Sequence, residues 1–463
     1  MKKTFFLLLS LFAFQTASAL EITVTVKGIK SDSLFLYSYT DNYRWEKTLS
    51  LVFAEKVVLK STKDLIPGMY IISSDSNSIA FFVISDQKSQ KFTIQYENGE
   101  ASYVGSPENS ANKEYLKQMA DFENQKQTLN VQYTAIMQSG EEYAVMETQV
   151  KWLAEQAAKL EMEKRNYQLT KAEEAKGSLL SSIIKGSIEF SKPSEEILKD
   201  RGLFENYLLE HHFDYFPWED ARILKTPVAI NKFKDFAYLM GTVAPLKAMV
   251  YLEAMMDSLK RYPEPYYAFY DYMEKAFGNQ NSPYWSQDIY LLMLRNMLTM
   301  PGLPEAKREQ CEREIVRLDK NNPGDLAPDF PILLSTGDST SLHAITSEYL
   351  ILYLQNPDCP TCAEIRERMD KLPVLNKAIA DGKVTVLTVY FEQNEQLWRN
   401  YLAKSANAKF LQGYDYQLDI ENKKLYDTNV IPFIYVLNAE KRILAKDIMV
   451  DKLDDFLKTL KLY

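Results

Sequence analysis

Hydrophobic and polar residues alternate in short runs over roughly the first hundred residues of the chain. Alternation with a period of two places one face of a strand in a core and the other in solvent. The runs are separated by Ser, Asp, Asn, Pro and Gly, which are typical turn residues. They cover residues 21–26, 32–37, 56–59, 68–72, 79–84 and 91–96. Short strands at regular spacing predict a small all-β domain, a sandwich or a barrel, for residues 20–105.

The pattern changes to the period of a helix after Gly105. Apolar residues then recur on one predicted helix face: Val150, Leu153, Ala157 and Leu160. Residues 111–137 and 141–176 predict a helical hairpin, and shorter helices continue from there. We therefore expect an α-helical domain over residues 106–321.

Strands and helices alternate in the last part of the chain, residues 322–463. Apolar runs typical of buried strands are followed by charged segments with helical spacing. The predicted strands include residues 348–354, 383–391 and 432–437, and the predicted helices 363–372, 393–404 and 451–460. Asp451 is the predicted cap of the last helix, since Asp is a favoured cap residue. The whole chain is thus predicted to be multidomain, with an α/β domain at its C-terminal end.

Two cysteines stand where a predicted strand passes into a predicted helix, in Cys359-Pro360-Thr361-Cys362. A sulfur at a helix N-terminus is stabilised as thiolate by free N–H groups and by the helix dipole. The second cysteine lies one turn further along, close enough to close a disulfide. This spacing predicts a redox-active dithiol. The alternative is a static disulfide, although so short a loop adds little stability.

The composition narrows the remaining classes of function. At 463 residues the chain is too long for one ordinary core, so about three domains are expected. The net charge of −9 argues against a nucleic-acid-binding protein, which usually needs a basic face. Only one cysteine, Cys311, lies outside the pair, and it is expected to be a small buried residue rather than a reactive one. The three histidines are distant from the pair in sequence: His211, His212 and His343. We predict no metal and no cofactor.

The first 19 residues have the pattern of a secretory signal peptide. Lys2 and Lys3 precede a short apolar run, and Ala17-Ser18-Ala19 forms a small-x-small cleavage site. No later stretch reaches roughly 18 continuous apolar residues. We therefore predict export to the periplasm or cell envelope, with no membrane span after cleavage.

The C-terminal pattern resembles the thioredoxin fold, in the TlpA-like redoxin branch of bacterial cell envelopes. The motifs that carry the resemblance are Leu326-Ala327-Pro328-Asp329-Phe330, Cys359-Pro360-Thr361-Cys362, Val430-Ile431-Pro432-Phe433 and Asn438-Ala439-Glu440. They lie within residues 322–463, under a third of the chain. The two upstream regions are similar to modules of unknown function that precede redoxin domains in such proteins.

The resemblance implies thiol-disulfide oxidoreductase activity and a role for each motif residue. Cys359 would be the nucleophile, Cys362 the resolving cysteine, and Pro432 a cis-proline that positions substrate against the disulfide. The implied substrates are disulfides of envelope proteins or of small thiols. A reductase in this compartment would also need an electron donor, for which a membrane relay is the candidate.

This sequence departs from the family pattern at two positions beside the motif. Asp358 stands where many members have a tryptophan, and a carboxylate there opposes thiolate formation. Tyr353 occupies the strand position that often holds a buried Asp or Asn. The alternative function is therefore a non-catalytic envelope binding or scaffold protein with a redox-inactive thioredoxin-like domain.

Overall fold

The fold is taken from a computed structural model. It describes residues 20–460 except 41–42, 62–64, 76, 87–89, 141, 280–281, 406–408 and 429–430. The predicted signal peptide, residues 1–19, lies outside the described residues, as does Val430 of the proline motif. The chain forms two compact units, of which the first ends at Pro301 and the second begins at Gly302.

The first unit begins with eight described strands in two four-stranded sheets. The strands are β1 Leu20–Val26, β2 Ser33–Tyr39, β3 Trp45–Val52, β4 Lys56–Ser61, β5 Gly68–Ser74, β6 Ser78–Ile84, β7 Lys91–Glu97 and β8 Glu100–Val104. The sheet orders are β4-β1-β7-β8 and β3-β2-β5-β6. Alternating residues of both sheets, such as Ile22 and Ile72, pack into one core. This arrangement is a sandwich, one of the two all-β folds that the alternation predicts.

Helices make up the remainder of the first unit. They are α1 Pro107–Gln138, α2 Tyr143–Glu174, α3 Leu179–Gly186, α4 Glu195–Lys199, α5 Arg201–His211, a 3₁₀ helix Ala221–Lys225, α6 Pro227–Thr242, α7 Pro245–Leu259, α8 Pro263–Phe277 and α9 Gln287–Leu298. Ser106 caps α1 by accepting a hydrogen bond from the N–H of Asn109. The predicted hairpin of two long helices is therefore present as α1 and α2.

The second unit starts with α10 Glu305–Leu318 and contains a seven-stranded sheet of order β10-β9-β13-β12-β11-β14-β15. Its strands are β9 Pro331–Leu334, β10 Ser339–Ser341, β11 Tyr349–Leu354, β12 Val384–Tyr390, β13 Leu411–Tyr414, β14 Phe433–Asn438 and β15 Ile443–Lys446. Its other helices are α11 Pro360–Asp370, α12 Pro373–Ala380, α13 Glu395–Ser405, α14 Asp419–Asn422 and α15 Val450–Thr459. The described fold is therefore multidomain, with β, helical and C-terminal α/β regions in that order.

The central strands of this sheet are buried on both faces. Strands β11, β12 and β13 are parallel, and β14 runs antiparallel beside β11. Leu352 packs into the core on one face of the sheet, and Ile351 packs into the core on the other. Since the carboxyl ends of the three parallel strands meet at one edge, the segments that follow them are brought together there.

The predicted cap of the last helix is wrong. Met449 takes the extended conformation before α15, and Asp451 lies inside its first turn. The Asp451 carboxylate instead pairs with the guanidinium of Arg368 on α11. A carboxylate in the first turn is still favoured by the helix dipole. No helix among the described residues is both long and apolar enough to span a bilayer.

Candidate redox site

Cys359 is the N-cap residue of α11. Its backbone is extended, with φ −84° and ψ 114°, and Pro360 follows at the first helical position. Proline suits that position because the missing N–H has no intrahelical partner there. The N–H of Cys362 donates to Cys359 Sγ at 3.2 Å, so the sulfur takes the place of a capping oxygen. The sulfur therefore lies at the positive end of the helix.

Cys362 lies one turn inside α11 and is completely buried, whereas Cys359 is partly exposed. Burial raises the pKa of the Cys362 thiol to about 12, and its interaction with Cys359 acts in the same direction. The two sulfurs of the motif therefore differ in access. One faces the surface, and the other is an enclosed, protonated thiol.

Tyr353 lies in β11 directly beneath the start of this helix. It is buried, and its hydroxyl donates to the main-chain carbonyl of Cys362 at 2.8 Å. Burial raises the pKa of Tyr353 far above its ordinary value, so the side chain remains a neutral donor. Tyr353 thus supplies a hydrogen bond to the backbone of α11. A carboxylic acid at the same position of β11 would supply a titratable group instead.

Pro432 comes to the same edge of the sheet as the cysteines. The Ile431–Pro432 peptide bond is cis, as the proline motif implies. Phe433, the first residue of β14, pairs with Leu354, the last residue of β11. Since Cys359 follows Leu354 by five residues, the proline and the dithiol both lie at the carboxyl end of β11.

The comparisons with known proteins agree with this geometry. Residues 345–434 match the thioredoxin family model, and residues 155–321 match the model of a domain of unknown function, DUF5106. A thioredoxin-like protein from Bacteroides caccae has a TM-score of 0.54 at 24% sequence identity, over 59% of this chain and 98% of that one. The C-terminal part of the chain is a thioredoxin-fold redoxin.

Two further solved structures each match about a third of the chain. The C-terminal domain of an uncharacterised protein from Bacteroides fragilis is 34% identical, with a TM-score of 0.29, over 30% of this chain and 98% of that one. The thioredoxin domain of a thiol-disulfide oxidoreductase from Bacteroides vulgatus is 20% identical, with a TM-score of 0.27, over 30% of this chain and 97% of that one. The search of curated proteins found no match. Membership of the TlpA-like branch stays a prediction.

Several polar side chains lie near the Cys359–Cys362 motif, and the sequence analysis did not single them out. The Asn356 side chain accepts from the N–H of Asp358 at 2.8 Å and donates to Glu392 Oε1 at 2.8 Å. Arg366 donates to Gln355 Oε1 at 3.4 Å. Asn356 and Gln355 follow β11, and Glu392 follows β12, so the parallel sheet brings them together. Of these residues, only Arg366 could have been found from the sequence, because its position one helical turn after Cys362 places both side chains on one face of the predicted helix.

The remaining cysteine and the three histidines belong to other elements and loops than the two motif cysteines. Cys311 is buried in α10, as expected for a small apolar residue. His211 pairs with Asp214, and His212 bonds the carbonyl of Lys232. His343 bonds the carbonyl of Ala327. Within the described ranges, no three His, Cys, Asp or Glu residues are grouped as a metal site would require.

Proposed function

We propose that this protein is an exported thiol-disulfide oxidoreductase that exchanges disulfides with proteins or small thiols of the cell envelope. The observation that carries the proposal is the hydrogen bond from the Cys362 N–H to Cys359 Sγ at 3.2 Å. It places a partly exposed sulfur at the N-terminus of α11, where negative charge is stabilised. The match of residues 345–434 to the thioredoxin family model supports the same activity.

The exchange begins at Cys359. Its thiolate attacks one sulfur of a substrate disulfide, a new S–S bond forms, and the other substrate sulfur leaves as thiolate. The accessible sulfur must react first, since Cys362 is enclosed by protein. Pro432, half-buried at the same sheet edge, would position the substrate chain against Cys359.

Cys362 completes the exchange. As thiolate it attacks Cys359 Sγ, the bond between Cys359 and the substrate breaks, and the second substrate sulfur leaves with the electron pair. The protein is oxidised to the Cys359–Cys362 disulfide and the substrate is reduced by two electrons. The reverse sequence oxidises a substrate dithiol. Steady reduction would draw electrons from a donor, for which a membrane relay is the candidate in this compartment.

Activity is tested with the mature protein, residues 20–463, by reduction of insulin or of glutathione disulfide. The native protein and Cys311→Ala should be active, and Cys359→Ser should be inactive. Cys311 is the matched control because it is the one cysteine outside the motif. Equal inactivity of all three, with no exchange between the motif and a thiol buffer, would favour the scaffold function instead.

Substrates are identified with Cys362→Ser, which should leave the mixed disulfide on Cys359 unresolved. Envelope extracts should then contain adducts that a reducing agent dissociates and that are absent with Cys359→Ser. Failure to recover any such adduct would count against a protein substrate. Export is tested separately by mass spectrometry of protein isolated from its natural cells, which should begin at Leu20.

A further inference from the structure

The buried resolving cysteine needs a source of thiolate stabilisation. Burial raises the pKa of Cys362, and resolution requires that thiol to lose its proton. Tyr353, which occupies the strand position of the family's buried acid, cannot take the proton as a carboxylate would. Its hydroxyl is neutral and already donates to the Cys362 carbonyl. Another group must therefore offset the cost of charge at this sulfur.

Arg366 is placed to supply that group. It follows Cys362 by four residues on α11, so the two side chains share one face of the helix. Its Nη1 donates to Oε1 of the buried Gln355 at 3.4 Å. Its guanidinium also lies over the ring of Tyr401, 4.9 Å from the ring centroid. These contacts hold the cation beside the start of the helix instead of leaving it extended in solvent.

The charged and titratable groups near Cys362 come from three elements. Cys359 and Arg366 belong to the motif and α11, Tyr353 to β11, and Tyr401 to α13. Burial is the largest influence on the Cys362 pKa and raises it. A backbone hydrogen bond from Asn356 lowers that pKa, and the charge of Arg366 lowers it further. The same cation opposes the upward shift in the pKa of Tyr353. Arg366 is thus a cation that favours negative charge at this buried site.

We propose that Arg366 is a positioning residue for the resolving step, whose fixed cation stabilises the Cys362 thiolate as it attacks Cys359 Sγ. The inference rests on the proposed oxidoreductase function. The proton of Cys362 passes to solvent, the S–S bond to the substrate breaks, and the leaving substrate sulfur takes the electron pair. The charge of Arg366, more than its shape, is what the step uses.

The two chemical steps are separated with 4,4′-dithiodipyridine, an uncharged disulfide that releases a chromophoric thione at each exchange. Reduced mature protein in a Cys311→Ala background is mixed with one equivalent in a stopped-flow instrument from pH 6 to 9. The first release reports attack by Cys359, and the second reports resolution by Cys362. An uncharged probe removes direct attraction between Arg366 and the substrate from the comparison.

Arg366→Gln should slow the second release about tenfold at neutral pH, the change in thiolate population for one pKa unit. Its first release should stay within about twofold of the native protein. The pH profile of the second release should move to higher pH. Arg366→Lys should keep most of the resolving rate because it keeps the charge. Arg368→Gln is the matched control, since Arg368 lies on the same helix and pairs with Asp451, and both of its releases should be unchanged.

Two results would overturn the inference. The second release could be insensitive to Arg366→Gln, or Arg366→Lys could be as slow as Arg366→Gln, which would make shape and not charge the cause. Circular dichroism of each variant separates a slow step from a failure to fold. Absence of the first release from folded native protein would instead overturn the oxidoreductase proposal, and this inference with it.

Discussion

The hydroxyl of Tyr353 donates a hydrogen bond of 2.8 Å to the main-chain carbonyl of Cys362. This bond links the buried strand β11 to the first turn of α11, which contains Cys362 and is capped by Cys359. The carbonyl is a backbone group, so the bond fixes where the helix begins without contacting either sulfur. The tyrosine therefore orients the dithiol through the helix.

Tyr353→Phe should loosen the start of α11. The variant keeps the buried ring and loses one hydrogen bond, which is worth about 1 kcal/mol. Hydrogen exchange of peptides covering residues 360–366 should become about fivefold faster, as expected for a local loss of that size. Tyr349→Phe, on the same strand, is the control and should leave exchange in α11 unchanged. Equal exchange in both variants would contradict the role given to the hydroxyl.

The capping role of Cys359 is separable from its redox role. Cys359→Ser and Cys359→Ala should both abolish disulfide exchange, but serine can still accept the hydrogen bond from the Cys362 N–H. The alanine variant should be less stable than the serine variant by about 1 kcal/mol, the typical loss on replacing an N-cap by Ala. Chemical denaturation, monitored by hydrogen exchange in β12, measures this difference in stability. Equal stability of the two variants would show that the sulfur does not cap the helix.

The sequence predicted the part of the redox site that is formed by residues consecutive in the chain. The apolar run of β11, the two cysteines and Pro360 at the helix start are consecutive, so local pattern was sufficient. Arg366 could not be assigned a role in this way. Its contacts, Gln355 and Tyr401, lie on separate elements that only the folded sheet brings to one place.

The strands that sequence reasoning missed have weak local signals. Strand β3 is mostly exposed, so it lacks the alternation of a half-buried strand. Strand β13 has four residues and includes Gly413, where an added Cβ would lie 2.6 Å from a methyl group of Ile332. The glycine is required by close packing between distant strands. A Gly-containing run of four residues in isolation favours a turn.

Arg317 anchors the buried carboxylate of Asp427. Its guanidinium donates to Glu314 Oε2 at 2.8 Å and to the carboxylate of Asp427, whose side chain is only 4% exposed. Asp427 precedes Pro432 by five residues. Arg317→Ala removes the guanidinium from a buried carboxylate and should cost about 2–3 kcal/mol. Hydrogen exchange of the core strands β11 and β12 measures this loss.

The control for Arg317 is Arg313→Ala on the same helix. The Arg313 side chain is 68% exposed, and its partner Glu309 lies 3.4 Å away. Exposed ion pairs contribute little to stability, so the stability of the Arg313→Ala variant should stay within about 0.5 kcal/mol of the native protein.

Arg317→Ala should also raise the KM for insulin more than it lowers kcat, because Pro432 would be less well placed for substrate. Equal effects of the two variants would contradict the anchoring role.

His212 makes the first unit sensitive to acid. The imidazole is buried against the rings of Phe213 and Phe236, and its Nε2 bonds the carbonyl of Lys232 at 3.0 Å. Burial lowers the pKa of His212 below its ordinary value of 6.5. The unfolded chain therefore takes up a proton at this residue before the folded protein does. Stability from His212 is present above pH 6.5 and is lost as the pH falls through that value toward the folded pKa.

The acid sensitivity is tested by comparing the native protein with His212→Gln, which keeps a hydrogen-bond donor and cannot titrate in this range. Denaturant unfolding at pH 7.5 and pH 5 gives the stability change for each, with exchange in α6 as the local readout. Between pH 7.5 and pH 5 the native protein should lose more stability than His212→Gln does. This expectation holds whatever the difference in stability between the two proteins at pH 7.5. Equal losses would mean that the histidine titrates alike in folded and unfolded states, which its burial against two aromatic rings argues against.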